Sequence, residues 1–254
     1  MQTSKRQNAA KALLLIGLGF FLYSRLANGT INFYINQRFI GFTLLAVVGL
    51  IGVGLSYRLR RAPASESTGE GEQAQDEHKH NHALSWGGAC LVLLPIVLGL
   101  LVPPQPLGAA ALSTRGINSG ANTGDTPAFM RNLSEKTPDA KNILDWWQSL
   151  RASAAPNQEF VGQPANVTGF VYQDQPFGAT YFMVTRFVVS CCAADASPLG
   201  LVVQWPAAQT FKNDQWVEVK GTFAPTSLAD WQLPVLVAES VTPVDVPNQP
   251  YLYP

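Results

Sequence analysis

Two adjacent thiols, Cys191 and Cys192, sit in the run Arg186-Phe-Val-Val-Ser-Cys191-Cys192-Ala-Ala-Asp195-Ala. Three chemistries are open to such a pair. With Asp195, two thiolates could hold a soft or borderline metal ion such as zinc, a fourth ligand coming from water, a partner chain or a substrate. A disulfide between them is strained, because successive Cα atoms lie about 3.8 Å apart and ordinary disulfides span more; strain favours a labile, switching bond over a staple. A thiolate nucleophile needs a basic activator, yet no histidine follows His82 and the nearest cation in sequence is Arg186. Cysteine-protease-like catalysis is therefore disfavoured, and the chain is read as a non-enzyme with a thiol-redox role kept open. The plain alternative is two small side chains packed in a tight β layer.

Geometry separates these options. Neighbouring side chains of a regular strand point to opposite faces, so the two sulfurs can meet only at a bulge or a strand end. The segment Ala193-Ala-Asp195-Ala-Ser-Pro198 supplies turn residues at that place. A second candidate group is His78, His80 and His82, beside Asp76 and Glu77. Alternating imidazoles could hold a zinc-like ion loosely, and a solvated polar linker is the competing reading.

Three apolar segments precede the thiols, at about 12–27, 39–57 and 84–102, each of roughly bilayer-spanning length. Lys5, Arg6 and Lys11 precede the first, which raises the option of a cleaved signal peptide; Tyr23 and Arg25 replace the small residues that cleavage needs, so a retained helix is expected. Basic residues concentrate in the N-terminal tail and in the second loop, at Arg58, Arg60, Arg61 and Lys79. Lysine and arginine near span ends stay in the cytoplasm. The expected protein is thus a multi-pass inner-membrane one, with everything after Val102 outside. Cys90 lies within the third span and reads as packing; Gly49, Gly52 and Ser56 in the second would let a helix of a partner approach closely.

The membrane anchor, 1–104, contains a polar loop at 62–82 without apolar periodicity, read as disordered. A linker, 105–136, follows. Thr137 and Pro138 then open an amphipathic helix expected over 137–151, with Ile143, Leu144, Trp147 and Leu150 on one face. Within 160–254, five segments rich in β-branched and aromatic residues (166–172, 180–190, 199–205, 215–223 and 233–241) are separated by Gly, Pro, Asn or Asp. They predict a small all-β domain, an OB-like five-stranded barrel.

Charge argues against one common use of such barrels. The whole chain carries 17 basic and 17 acidic residues. From 161 onward, Arg186, Lys212 and Lys220 face seven acids, Asp174, Asp195, Asp214, Glu218, Asp230, Glu239 and Asp245. Nucleic acid is a poor partner for that surface.

Several of these pieces together resemble one family. They are the basic-flanked first span followed by Asn32-Phe-Tyr-Ile35-Asn-Gln-Arg38-Phe39, the histidine-containing loop, Gly169-Phe-Val-Tyr172, the Cys191-Cys192-Ala-Ala-Asp195 core and the terminal Pro250-Tyr251-Leu-Tyr253-Pro254. The chain is similar over nearly its whole length to the YcgQ-like bacterial membrane proteins, candidate subunits of a two-component membrane permease. The resemblance implies a polytopic permease subunit as partner, with this chain as the accessory component presenting a β domain outside. It carries over to Cys191, Cys192 and Asp195, and loosely to the three histidines. The competing reading is a membrane-tethered metal-binding or thiol-redox protein.

Overall fold

The computed structural model describes residues 2–59, 86–115, 136–173, 178–226, 228 and 231–254. His78, His80 and His82 lie outside them, as do Asp174 and Asp230. The chain divides into two compact units, Met1–Ile31 with Arg38–Pro104, and Asn32–Gln37 with Gln105–Pro254.

The first unit contains helices α1 (Gln2–Ala27), α2 (Ile40–Leu59) and α3 (Trp86–Leu101). The stretches Gln7–Ala27 and Gln37–Tyr57, 21 residues each, are long and apolar enough to cross a membrane, about 31 Å at the α-helical rise. Large apolar side chains on them face outward, Phe20 being 69% and Leu45 73% exposed. A helix in water buries such a stripe, whereas lipid accepts it. Two such helices mark the chain as membrane-associated. At the expected third span lies the shorter apolar helix α3, 16 residues with Pro95 inside it.

Helices α1 and α2 meet at Gly19 and Gly54. A Cβ on Gly54 would lie 2.8 Å from Ile16 Cγ1, and one on Gly19 would lie 3.0 Å from Ile51 Cγ1. Gly49 and Gly52 face open space instead. The reason is angular: Val47, Ile51 and Gly54 share one face at helical spacing, and positions 49 and 52 fall off it.

The second unit is a closed barrel of β1 (Pro164–Tyr172), β2 (Tyr181–Val188), β3 (Ser197–Gln204), β4 (Trp216–Ala224) and β5 (Val235–Pro243). The strand order around it is β1-β2-β3-β5-β4. These strands lie where the segments rich in β-branched and aromatic residues, separated by Gly, Pro, Asn or Asp, predicted them. Neighbours are antiparallel except β3 and β5, which run parallel through Val203–Leu236 and Gln204–Val237.

The amphipathic helix begins later than expected. Thr137-Pro138 opens only a 3-10 turn, Pro138–Ala140, and the helix α5 runs Ile143–Ala152. Its start is set by a reciprocal capping box: Asn142 Oδ1 accepts the Asp145 N–H at 3.1 Å and Asp145 Oδ2 accepts the Asn142 N–H at 2.9 Å. Two satisfied donors outweigh a proline at the first helical position. Ile143, Trp146 and Leu150 are buried in the barrel core with Phe160, Val184, Leu199 and Phe223. Gly169 admits α5 there, since a Cβ would sit 2.6 Å from Thr185 O and 3.0 Å from Ile143 Cδ1.

A second apolar cluster covers the outside of the barrel. It joins Phe170, Phe187, Val189 and Trp216 to Leu112 of helix α4 (Ala109–Arg115) and to Tyr251 of the C-terminal tail. Burial on both faces explains why β2 reads as a nearly continuous apolar run. It also fixes the end of β2 from which the cysteines emerge.

Candidate functional site

The ladder of β2 ends at Val188, and the chain then curls through Ser190, Cys191 and Cys192 into a 3-10 turn at Ala193–Asp195. That turn swings the Asp195 carboxylate back over its own backbone. Asp195 Oδ2 accepts the Cys191 N–H at 2.7 Å, and Oδ1 accepts those of Ser190 and Cys192 at 3.2 and 3.4 Å. In a regular strand successive N–H groups point to alternate sides and cannot converge on one anion. Their convergence here bends the strand end, and the two sulfurs come to 3.6 Å from each other. Cys191 is exposed and Cys192 half-buried, both as free thiols. The expected strand-end geometry is thus the observed one.

The opposite side of the turn is held by a distant segment, the strap Asn32–Gln37. Ile35 bridges Cys192 in antiparallel fashion; the Asn36 N–H donates to Cys191 O at 3.0 Å and the Ala193 N–H to Tyr34 O at 2.8 Å. The buried Asn36 side chain donates through Nδ2 to Ser190 O at 3.0 Å and to Val189 O at 3.4 Å. Tyr251 of the tail completes the arrangement, its hydroxyl donating to Phe33 O at 3.0 Å and accepting the Leu107 N–H at 2.9 Å. In the sequence, the strap and the tail carry only the family resemblance. Nothing local signals that Asn36 meets a carbonyl 154 residues away.

Arg186 is placed elsewhere. Its guanidinium donates to Pro250 O at 3.1 Å and to Gln249 O, and it lies over the Trp216 ring at 5.6 Å. Burial pulls its pKa down to about 10, with the neighbouring Tyr253 pulling the other way, so it is charged at neutral pH. Its contacts make it a fastener of the tail, whereas Cys191, Cys192 and Asp195 form one constellation.

Electrostatics within the constellation oppose a reactive thiolate. The Cys191 thiol is pushed up from 9.0 to about 11, first by its hydrogen bond to the Asp195 carboxylate and then by that to Cys192. Burial pushes the Asp195 carboxyl up, but the hydrogen bonds from Cys191, Cys192 and Ser190 outweigh it and leave it below the usual value. The thiol's contribution to the turn is therefore complete below pH 9.0 and is lost as pH rises toward about 11; the carboxylate's is lost in acid. Alkylation of Cys191 by iodoacetamide at pH 8 is accordingly expected to run roughly hundredfold slower than for an ordinary thiol. Asp195→Asn should restore much of that rate. Peptide mapping of the alkylated chain against pH checks both, and an ordinary alkylation rate at Cys191 would contradict the arrangement.

For a soft or borderline ion the turn offers two sulfurs, while Asp195 already accepts three backbone N–H groups. Among the described residues, no group of three or more His, Cys, Asp or Glu is gathered to hold a metal.

Residues 10–118 match the DUF1980 N-terminal domain and residues 137–254 the DUF1980 C-terminal domain. The chain is 26% identical to the UPF0703 protein YcgQ of Bacillus subtilis, over 96% of this chain and 98% of that protein. It is 24% identical to a Streptococcus mutans protein named as a candidate two-component membrane permease complex subunit, over 64% of this chain and 72% of that protein. Both halves of the molecule, the apolar helices and the barrel with its thiol turn, fall within these similarities.

Proposed function

Because the chain belongs to the YcgQ-like family and carries both DUF1980 domains, we propose that it is the accessory, non-pore subunit of a two-component membrane permease, presenting its barrel outside the cytoplasm. The name of the Streptococcus mutans relative supports the permease context. One structural observation carries the topology: the strap Asn32–Gln37, which lies between α1 and α2 in sequence, is hydrogen-bonded to the cysteine turn of the barrel unit. Strap and barrel therefore share a compartment. With basic residues keeping the N-terminus inside, α1 leads out to the strap and α2 leads back. The barrel can share the strap's side only if the apolar stretch 84–102 crosses as well. This supports a reading with three spans and an extracytoplasmic barrel.

The closed order with β3 parallel to β5 supports an OB-like reading of that barrel. The apolar segments 12–27, 39–57 and 84–102 contain no Asp or Glu, and substrate paths through lipid are marked by such residues. The path is accordingly assigned to a polytopic partner, and this chain acts without catalysis of its own.

Co-purification tests the reading. A tagged chain extracted in mild detergent is expected to bring its polytopic permease subunit with it, and deleting the chain should lower the level of that subunit. Purification of the chain alone, with a permease indifferent to its absence, would sink the proposal. A C-terminal tag reached by a membrane-impermeant reagent in intact spheroplasts is the matching expectation for topology; a tag reached only after lysis overturns it.

A further inference from the structure

We infer that Cys191 and Cys192 form a reversible dithiol–disulfide site whose closure loosens the Asn32–Gln37 strap from the barrel. The sulfurs are 3.6 Å apart, in contact but unbonded, with Cys191 exposed and Cys192 half-buried. Cysteines that only fill a core are buried and inert; these two stand where another molecule can reach them.

The link to the strap is a single peptide group. An ordinary disulfide joins Cα atoms 4.4–6.8 Å apart, roughly, whereas adjacent residues are held at about 3.8 Å. Because that span cannot lengthen, drawing the sulfurs from 3.6 Å to bonding distance closes a small ring that strains the backbone torsions on either side of the Cys191–Cys192 peptide, and the peptide turns to accommodate it. The carbonyl of that peptide accepts the Asn36 N–H at 3.0 Å, and its N–H donates to Asp195 Oδ1 at 3.4 Å. Turning it breaks one bond to the strap and one to the carboxylate that shapes the turn. The Asn36 side-chain bonds to Val189 and Ser190 do not involve this peptide and keep the strap tethered. Loosening, and not detachment, is the consequence.

The oxidant is a disulfide, R–S–S–R, of a small thiol or of an extracytoplasmic thiol oxidoreductase. One cysteine sulfur, losing its proton, attacks R–S–S–R and releases one R–SH; the second, losing its proton, attacks the mixed disulfide and releases the other. The protein is oxidised by two electrons, R–S–S–R is reduced by two, and both thiol protons leave on the two R–SH. Dithiothreitol reverses the balance. The hydrogen bond from the Cys191 thiol to Asp195 is given up when the disulfide forms.

The experiment uses the purified full-length chain in detergent, in a Cys90→Ser background, equilibrated with glutathione buffers of increasing oxidised fraction. Intact mass is expected to fall by two hydrogens without glutathione addition. Amide exchange at Asn36 is expected to quicken roughly tenfold, the loss of about one backbone hydrogen bond, and to return on dithiothreitol treatment. Neither Cys191→Ser nor Cys192→Ser should show either change, and the reduced parent is the control for folding. Glutathione adducts or intermolecular dimers in place of the internal bond overturn the inference, as does an internal bond that leaves Asn36 exchange unaltered. The inference goes beyond the accessory-subunit reading and is measured without the permease, so its failure and a failure of co-purification remain distinct results.

Discussion

Trp146→Ala is expected to destabilise the barrel unit by about 3–5 kcal/mol, a large share of the roughly 5–15 kcal/mol that holds a domain of this kind folded. The indole is fully buried, with its ring 4.9 Å from that of Phe223 and 6.2 Å from that of Phe160, both edge-on. Lys141 Nζ lies over it at 4.6 Å. Removing it leaves a void where α5 meets the barrel, and the surrounding strands cannot collapse to fill it. Among the described residues the indole N–H has no hydrogen-bond partner, so what the site uses is the ring and its edge-to-face contacts. Trp146→Phe is therefore expected to cost clearly less than the alanine change. Denaturant melts of the three proteins check this ordering, and equal costs for Phe and Ala would contradict it.

Gly221→Ala is expected to cost about 3 kcal/mol or more, although it adds only one methyl group. Gly221 lies at the register shift between Lys220 and Gly221 in the β4–β5 pairing. A Cβ there would run into the carbonyl of Val237 and come within 2.8 Å of Ala238 Cα. These are backbone atoms, so no side-chain rotation relieves the clash, and β5 must move away. Because β5 joins β3 through only two residue pairs, the displaced strand has little else to hold it and the barrel opens on that side. Thr222→Ala, one residue further on at a half-exposed site, is expected to stay within about 1 kcal/mol. Hydrogen exchange of β5 amides separates the two variants: fast throughout β5 in Gly221→Ala, native-like in Thr222→Ala. A Gly221→Ala protein with native β5 protection would show that the strand pair can absorb the methyl.

Much of this architecture is legible in the chain because it is written in local patterns. The strand segments are rich in β-branched and aromatic residues and are separated by Gly, Pro, Asn or Asp, and each lies within a few residues of its observed place. The apolar helices are a matter of composition. At the helix before the barrel, two local signals competed. Thr137-Pro138 and Asn142-Ile-Leu-Asp145 are both good starts; the second prevails because it satisfies two backbone donors and because Lys136 pairs with Asp145 at 2.8 Å. Trp146, which the helical spacing left outside the predicted apolar face, is fully buried because the barrel closes around α5 from several strands at once.

By itself, then, the sequence determined the kinds of element, their order, and the two thiols with their nearby carboxylate, all of which follow from the period, composition and spacing of neighbours. Tertiary structure alone decided how that carboxylate is used, gathering backbone N–H groups so that both sulfurs stand together with Cys191 kept protonated. It alone assigned Arg186 to the tail and Asn36 to the turn. The physical reason is that a strap between the first two helices must cross 154 residues of sequence to reach Ser190, and a hydrogen bond between distant backbone groups leaves no trace in the pattern of either segment.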